Sequence, residues 1–193
     1  MMEFQNKKVL VYGGGKSGTA AFELLEGIGA KPFIFDDRKD SLPGDLSGID
    51  LAVMSPGVPC DTPSALALKE AGVPVIGEIE LAWQTGKGTL FAVTGTNGKT
   101  TTTTLLGEIM KAFSSSVFVV GNIGTAYTSV ASETRDDSYV VAEISSFQLE
   151  TAVEFHPHIS AILNITPDHL NRHHTMEIYT AVKESIKIGR AHV

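Results

Sequence analysis

Eight short runs of apolar and β-branched residues recur along the chain: KKVLVYG, KPFIFDD, LAVMSPG and PVIG, then TLFAVTG, SVFVVG, YVVAEIS and SAILNI. They are continuous rather than alternating. That pattern suits strands buried on both faces of a parallel sheet, because helices must then cover each face. The intervening stretches carry helical spacing. Ser17 to Gly29 places Ala21, Leu24, Leu25 and Ile28 on one side and stops at a glycine suited to the left-handed helix terminus. The rhythm is βαβ throughout, which predicts an α/β fold. QTGKG, polar and glycine-rich, separates the first four runs from the last four, so a boundary between two units is expected near Gly86 to Gly88.

The chain has 193 residues, 42% of them hydrophobic, enough for one large unit or two small ones. A formal net charge of -7 without any run of lysine or arginine argues against a nucleic-acid groove, which needs clustered positive charge. The lone cysteine, Cys60, can form neither an internal disulfide nor a zinc cluster, so a reducing, cytoplasmic setting is expected. The opening MMEFQNKKVLVYGGG lacks the apolar core of a signal peptide, and no apolar run is long enough to span a bilayer. No membrane or nucleic-acid partner is expected.

Gly13, Gly15 and Gly18 stand in G-x-G-x-x-G spacing between the first strand and the first helix. Asp36 or Asp37 follows eighteen or nineteen residues after Gly18, at the end of the second strand. Closely spaced glycines let backbone N–H groups approach an anion at a helix N-terminus, and the later acid is placed to meet a ribose. Residues 1–88 are therefore read as a Rossmann-like unit. The pattern fits NAD, fits another nucleotide, and fits a tight turn needed only for packing.

A second glycine turn lies about eighty residues on, in TLFAVTGTNGKTTTTTLLGEIM. It has the strand, loop, lysine and hydroxyl of a nucleoside-triphosphate loop: Lys99 can reach the β and γ phosphates and Thr100 can hold Mg²⁺. Two residues, Thr96 and Asn97, separate Gly95 from Gly98, where the general P-loop pattern has four. The five threonines Thr100 to Thr104 are poor helix formers, yet they occupy the helix that should follow such a loop. Glu143 ends YVVAEIS, so its carboxylate should emerge at a strand's C-terminal edge beside this loop, where an oxygen-seeking metal would sit.

TGTNGKTT resembles the ATP loop of the Mur ligase family. GNIG (Gly121 to Gly124), EISSFQLE (Glu143 to Glu150) and LNITPDHLNRH (Leu163 to His173) resemble the branch of that family that adds D-glutamate to UDP-N-acetylmuramoyl-L-alanine. The four motifs occur in order, and the resemblance covers Lys7 to Lys187. It implies that the first turn holds the uridine diphosphate end of a sugar nucleotide while the second holds ATP, and NAD falls behind. Gly15, Lys16 and Ser17 would meet the diphosphate. Asp36, Asp37 and Arg38 would lie at the uracil end, with Ser55, Pro56 and Gly57 lining the same pocket. Gly95, Thr96, Asn97, Gly98, Lys99, Thr100 and Thr101 would hold ATP, and Asn122 and Ser145 would touch the substrate.

The implied chemistry is amide formation through an acyl phosphate, with ATP and Mg²⁺ as cofactors and D-glutamate as the amine. Lys99, His169 and Lys183 take the catalytic roles, and Thr100, Glu143, His169 and Lys183 the metal-binding ones. Lys183 falls where the family carries a lysine modified by CO₂, a change that turns a cation into an anion with two oxygen ligands. An unmodified helical lysine is ordinarily exposed. The other histidines, His156, His158, His173 and His174, are read as structural or exposed. A sister ligase, a folylpolyglutamate synthase relative and a non-catalytic nucleotide-binding module are the alternatives. SSFQLE and the glycine-led first unit count against the two enzymes, and Glu143, His169 and Lys183 against the module.

Family members continue through the rest of the ATPase domain into a C-terminal domain. Residues 89–187 are thus expected to be an incomplete central P-loop domain with no C-terminal domain behind it. The closing IGRAHV resembles the translation of a sequencing adapter, so 188–193 are read as a non-native tail. On that reading the polypeptide is a monomer without ligase activity of its own, whose first unit still binds the uridine end.

Overall fold

The computed structural model of the protein describes residues 2–122 and 124–187. The tail at 188–193 and Ile123 within GNIG lie outside the described residues.

All eight apolar runs form strands, and every pairing is parallel. The first sheet holds β1 (Lys8–Tyr12), β2 (Lys31–Phe35), β3 (Leu51–Met54) and β4 (Val75–Gly77) in the order β2-β1-β3-β4. The second holds β5 (Thr89–Thr94), β6 (Val117–Gly121), β7 (Tyr139–Glu143) and β8 (Ile159–Ile162) in the order β6-β7-β5-β8. In each sheet the strand that precedes a glycine turn is central, so the turn sits at the middle of the C-terminal sheet edge, where ligands of open α/β sheets bind.

The longest helices follow these two strands. α1 (Lys16–Gly27) buries Ala21, Leu24 and Leu25, and the chain then reverses through Gly29 at φ +81°. α4 (Lys99–Lys111) carries all five threonines despite their poor propensity. Packing against β6 and β7 holds it: a Cβ on Gly107 would lie 2.4 Å from Val119 Cγ2, so the helix approaches the sheet closely. α2 (Pro63–Glu70) begins at Thr62, whose hydroxyl accepts the Ala65 N–H, with proline in the first turn where its missing donor costs nothing.

α3 (Glu78–Thr85) leads from the first sheet to the second and packs against the short α5 (Tyr127–Val130), and the polar QTGKG link is packed rather than loose. The Lys87 N–H donates to Thr134 Oγ1 at 2.8 Å, and a Cβ on Gly88 would lie 2.3 Å from the Ser138 carbonyl oxygen. One apolar cluster runs across both sheets, from Val9, Val11 and Leu25 through Ile79 and Leu81 to Leu90, Val140 and Ile144. Fully buried Glu80 on α3 accepts the N–H groups of Val153, Glu154 and Phe155 at 2.8–3.0 Å, so that loop is pinned to the connecting helix. Three amide donors on one carboxylate oxygen offset the cost of burying it. Among the described residues no helix is long and apolar enough to cross a membrane.

Candidate functional site

The first glycine turn borders a cleft of about 370 Å³. Gly13 takes φ +111°, a conformation costly for any side chain, and Gly18 packs against it so closely that a Cβ would fall 1.8 Å from the Gly13 carbonyl oxygen. Gly15, Ser17, Asp36, Asp37, Arg38, Ser55 and Gly57 all line this cleft, together with Tyr12, Val58, Pro59 and Thr62. Pro56 does not: it lines a neighbouring cleft, because the chain bends tightly here, with the Val58 N–H donating to the Ser55 carbonyl at 3.0 Å, and the side chains of a tight turn splay apart. The two acids are already engaged. Arg38 donates to Asp36 through Nε at 2.9 Å and Nη2 at 2.7 Å, and its guanidinium holds that carboxyl well below the usual carboxylate range. Asp37 accepts from the Tyr12 hydroxyl and from Ser64 Oγ.

The second turn is built on different contacts. Gly95 (φ +147°) and Gly98 (φ +83°) supply the bend, and the strand-end segment 163–166 grips it. Asn164 accepts the Thr96 N–H on its carbonyl at 2.9 Å and the Asn97 N–H on Oδ1 at 2.9 Å. Those two amides are spent, so the N–H groups left without intrahelical acceptors are those of Gly98 and the first helical turn, Lys99 to Thr101. Thr96 and Asn97 shape the turn more than they offer donors to it. The Lys99 ammonium folds back onto the carbonyls of Gly95 and Thr96, each at 2.9 Å.

Glu143, at the end of β7 and only 1% exposed, accepts the Thr100 hydroxyl at 2.8 Å and the Asn122 side-chain amide at 2.9 Å. Both partners are neutral. A carboxylate buried this deeply, with a threonine hydroxyl at a phosphate-type turn, is an oxygen donor set of the kind Mg²⁺ prefers. The residues therefore fit a metal carried in with phosphate, although no three His, Cys, Asp or Glu side chains converge as a cage among the described residues.

Beside it lies a cleft of about 240 Å³ lined by Lys99, Asn122, Ser145, Phe147, Asp168, His169, Tyr179 and Lys183. Lys183, on α8 (Met176–Glu184), is 1% exposed rather than solvated, and its Nζ donates to the Gly95 carbonyl at 2.9 Å. Burial, together with the charge of Lys99, pushes its amine down to about 8. His169 adopts φ +51° at the start of α7 (Leu170–His173), which turns its half-exposed ring onto Phe147 at 4.9 Å between centroids. Ser145 caps α6 (Ser146–Leu149) in a reciprocal pair: its hydroxyl accepts the Gln148 N–H, and Gln148 Oε1 accepts the Ser145 N–H at 2.9 Å.

Between these two clefts is a third, about 450 Å³, lined by Lys16, Ser17, Pro56, Glu78, Asn122, Ser129 and Gln148 among others. It shares Ser17 with the first cleft and Asn122 with the metal-side cleft, so the three form one series across both sheets. Tyr179 and Glu78 lie outside the motifs of the sequence, whereas Asn164 and Asp168 sit inside LNITPDHLNRH, whose spacing does not say which of its residues reach the turn or the cleft. Buried His173 has the structural role expected of it, with Nε2 2.9 Å from Ser146 Oγ. Arg172 braces the series from behind, donating to Glu150 and, at 2.8 Å, to the Val58 carbonyl of the first cleft.

The family model for the Mur ligase middle domain matches residues 93–189, which contain the second turn, Glu143, His169 and Lys183. The chain belongs to the Mur ligase family. Among curated relatives it is 54% identical to the UDP-N-acetylmuramoylalanine--D-glutamate ligase of Lachnospira eligens, over 96% of this chain and 46% of the relative. It is 52% identical to the protein of the same name from Lachnoclostridium phytofermentans, with the same coverage. The chain thus spans about half the length of these relatives. A solved structure of UDP-N-acetylmuramate:L-alanyl-gamma-D-glutamyl-meso-diaminopimelate ligase from Neisseria meningitides shares the fold, with a TM-score of 0.55 at 15% identity over 93% of this chain and 67% of that one.

Proposed function

We propose that this chain is the nucleotide-handling part of an ATP-dependent ligase that joins D-glutamate to UDP-N-acetylmuramoyl-L-alanine during cell-wall precursor synthesis in the cytoplasm. The observation that supports the reading is the series of clefts: one at a nucleotide-type turn and one at a triphosphate-type turn each share a lining residue, Ser17 and Asn122, with the cleft between them. A sugar nucleotide seated at the first turn extends its far carboxylate toward the second. The relatives at 54% and 52% identity bear the name of this activity.

Bound Mg²⁺·ATP supplies a phosphoryl group that converts the unreactive carboxylate into an acyl phosphate, from which phosphate leaves when the amine attacks. The chain's own part is to position anions and neutralise charge, the usual burden in phosphoryl transfer. Lys99, now on the carbonyls of Gly95 and Thr96, would be freed to meet the phosphates. Thr100 and Glu143 would hold the metal. Asn122, tied to Glu143 and shared by two clefts, positions the sugar-nucleotide tail against the transferred group. Lys183, in the neutral form that burial favours, forms an N–C bond from Nζ to CO₂ and releases one proton, giving a carbamate that with His169 would hold a second Mg²⁺.

Calorimetric titration of the chain with UDP-N-acetylmuramoyl-L-alanine, Mg²⁺·ATP and NAD tests the reading. The first two should bind and NAD should not. NAD binding in competition with UDP, or no binding of either expected ligand, would overturn it.

A further inference from the structure

Glu78 opens α3 and is 6% exposed, yet only one of its oxygens is accounted for. Oε1 accepts the Gln148 side-chain amide at 3.1 Å, while Oε2, equally buried, has no hydrogen-bond partner. An acid in the first turn of a helix is favoured by the helix dipole, which explains why a glutamate is tolerated at this position. It does not explain an unpaired buried oxygen. Such an atom costs of order 1–3 kcal/mol unless something satisfies it. Glu78 also lines the middle cleft, beside Lys16, Ser17, Pro56 and Asn122.

The surroundings fix which atom is free. Gln148 Oε1 is committed to the Ser145 N–H at 2.9 Å, so its Nε2 must face Glu78, and Oε1 of Glu78 is the oxygen held. Oε2 is left as the unpaired oxygen of a residue that lines the middle cleft. We propose that Glu78 is a substrate-contacting specificity residue whose Oε2 accepts a hydrogen bond from an uncharged N–H or O–H donor in the amide- and hydroxyl-bearing middle of the sugar nucleotide. The inference rests on the function proposed above. It adds that the middle of the ligand is read by a carboxyl group held in place by Gln148, and not only its charged ends.

The test compares UDP with UDP-N-acetylmuramoyl-L-alanine as calorimetric ligands of the unmodified chain and of Glu78→Gln. The exchange keeps the volume. With its carbonyl oxygen still accepting from Gln148, the new amide would place a donor where the acceptor stood. The full sugar nucleotide should weaken roughly tenfold to a hundredfold, as for one hydrogen bond to a charged group, while UDP affinity stays the same. Glu78→Ala should show the same selectivity. Unchanged affinity for the full ligand would overturn the inference and leave the ligase reading standing, as would equal losses toward both ligands, the mark of a merely structural role. Failure of the unmodified chain to bind either ligand would overturn the ligase reading itself and the inference with it.

Discussion

The two glycine turns occupy equivalent places, each after the strand that leads its own helix and each at a sheet's C-terminal edge, but they are held by different forces. The first is held by steric closeness. Gly18 lies against the Gly13 carbonyl with no room for a Cβ, and a Cβ on Gly13 would meet the Ser55 side chain at 2.9 Å. The second is held by polar contacts: Asn164 takes two of its amides, and Lys99 and Lys183 both donate to the Gly95 carbonyl. A Cβ on Gly98 would find only Leu163 Cδ1, 3.5 Å away. Glycine spacing alone therefore says little about what a turn does. In the first, glycines are demanded by packing whether or not a phosphate binds. In the second, two amide contacts to Asn164 and two lysines on the Gly95 carbonyl hold the bend.

The difference is sharpest in a pair of glycine substitutions. Gly18→Ala drives a methyl into backbone and should cost about 3 kcal/mol or more, at or beyond the upper end for overpacking. Gly98→Ala meets no clash and pays only for the left-handed backbone, about 1–2 kcal/mol. Denaturant unfolding of both variants measures the order. If Gly98→Ala proved the more damaging, the contrast between a packed turn and a polar one would be wrong.

The lysines of the second turn sharpen the comparison next, because nothing at the first turn corresponds to a buried amine on a loop carbonyl. Equilibrated with ¹³C-bicarbonate, the unmodified chain should give a carbamate resonance that disappears in Lys183→Met. The variant should also bind Mg²⁺·ATP about tenfold more weakly, the loss of one strong charged contact, and bind UDP as before. A spectrum with no carbamate in the unmodified chain, or one of undiminished intensity in the variant, would remove Lys183 from the proposed metal set.

Much of this was legible in the residues. All eight apolar runs were readable as strands, although burial on both faces holds only for inner ones such as β1, β3 and β7, the edge strands β2 and β8 leaving Ile34 and Ile159 exposed. Both turns were readable too, since glycine, lysine and hydroxyl spacing is local. What depended on tertiary contact was not. Lys183 is surrounded in sequence by ordinary helical residues, and only the arrival of the Gly95 carbonyl, 88 positions away, shows why it is buried. Tyr179 acts on the second turn from outside any motif, and Asn164 acts from within LNITPDHLNRH, where spacing alone does not show that it meets Thr96 and Asn97. Glu78 reads as a helix-start acid until Gln148, 70 positions on, occupies one of its oxygens. Pro56 shares a tight turn with Ser55 and Gly57 but not their cleft, because adjacency in a turn says nothing about which way each side chain faces.

The smallest expected effect lies at the rim of the first cleft. The folded-state carboxyl of Asp36 is held low, first by the Arg38 side chain and then by the Arg38 and Gly14 backbone N–H groups. Because its folded value lies below its unfolded one, near 3.9, the group contributes stability that is present above that pH and fades as pH falls toward the folded value. Asp36→Asn removes the titration, so the variant should lose less stability than the unmodified chain between about pH 5 and pH 2, while the two differ by a near-constant amount at neutral pH. Arg38 is mostly exposed, which keeps the pair screened and the effect modest. Acid titrations of folding followed by circular dichroism would show it. Parallel acid profiles for the two proteins would mean that the Asp36–Arg38 pair does not steady the rim, and that the first turn rests on its glycine packing alone.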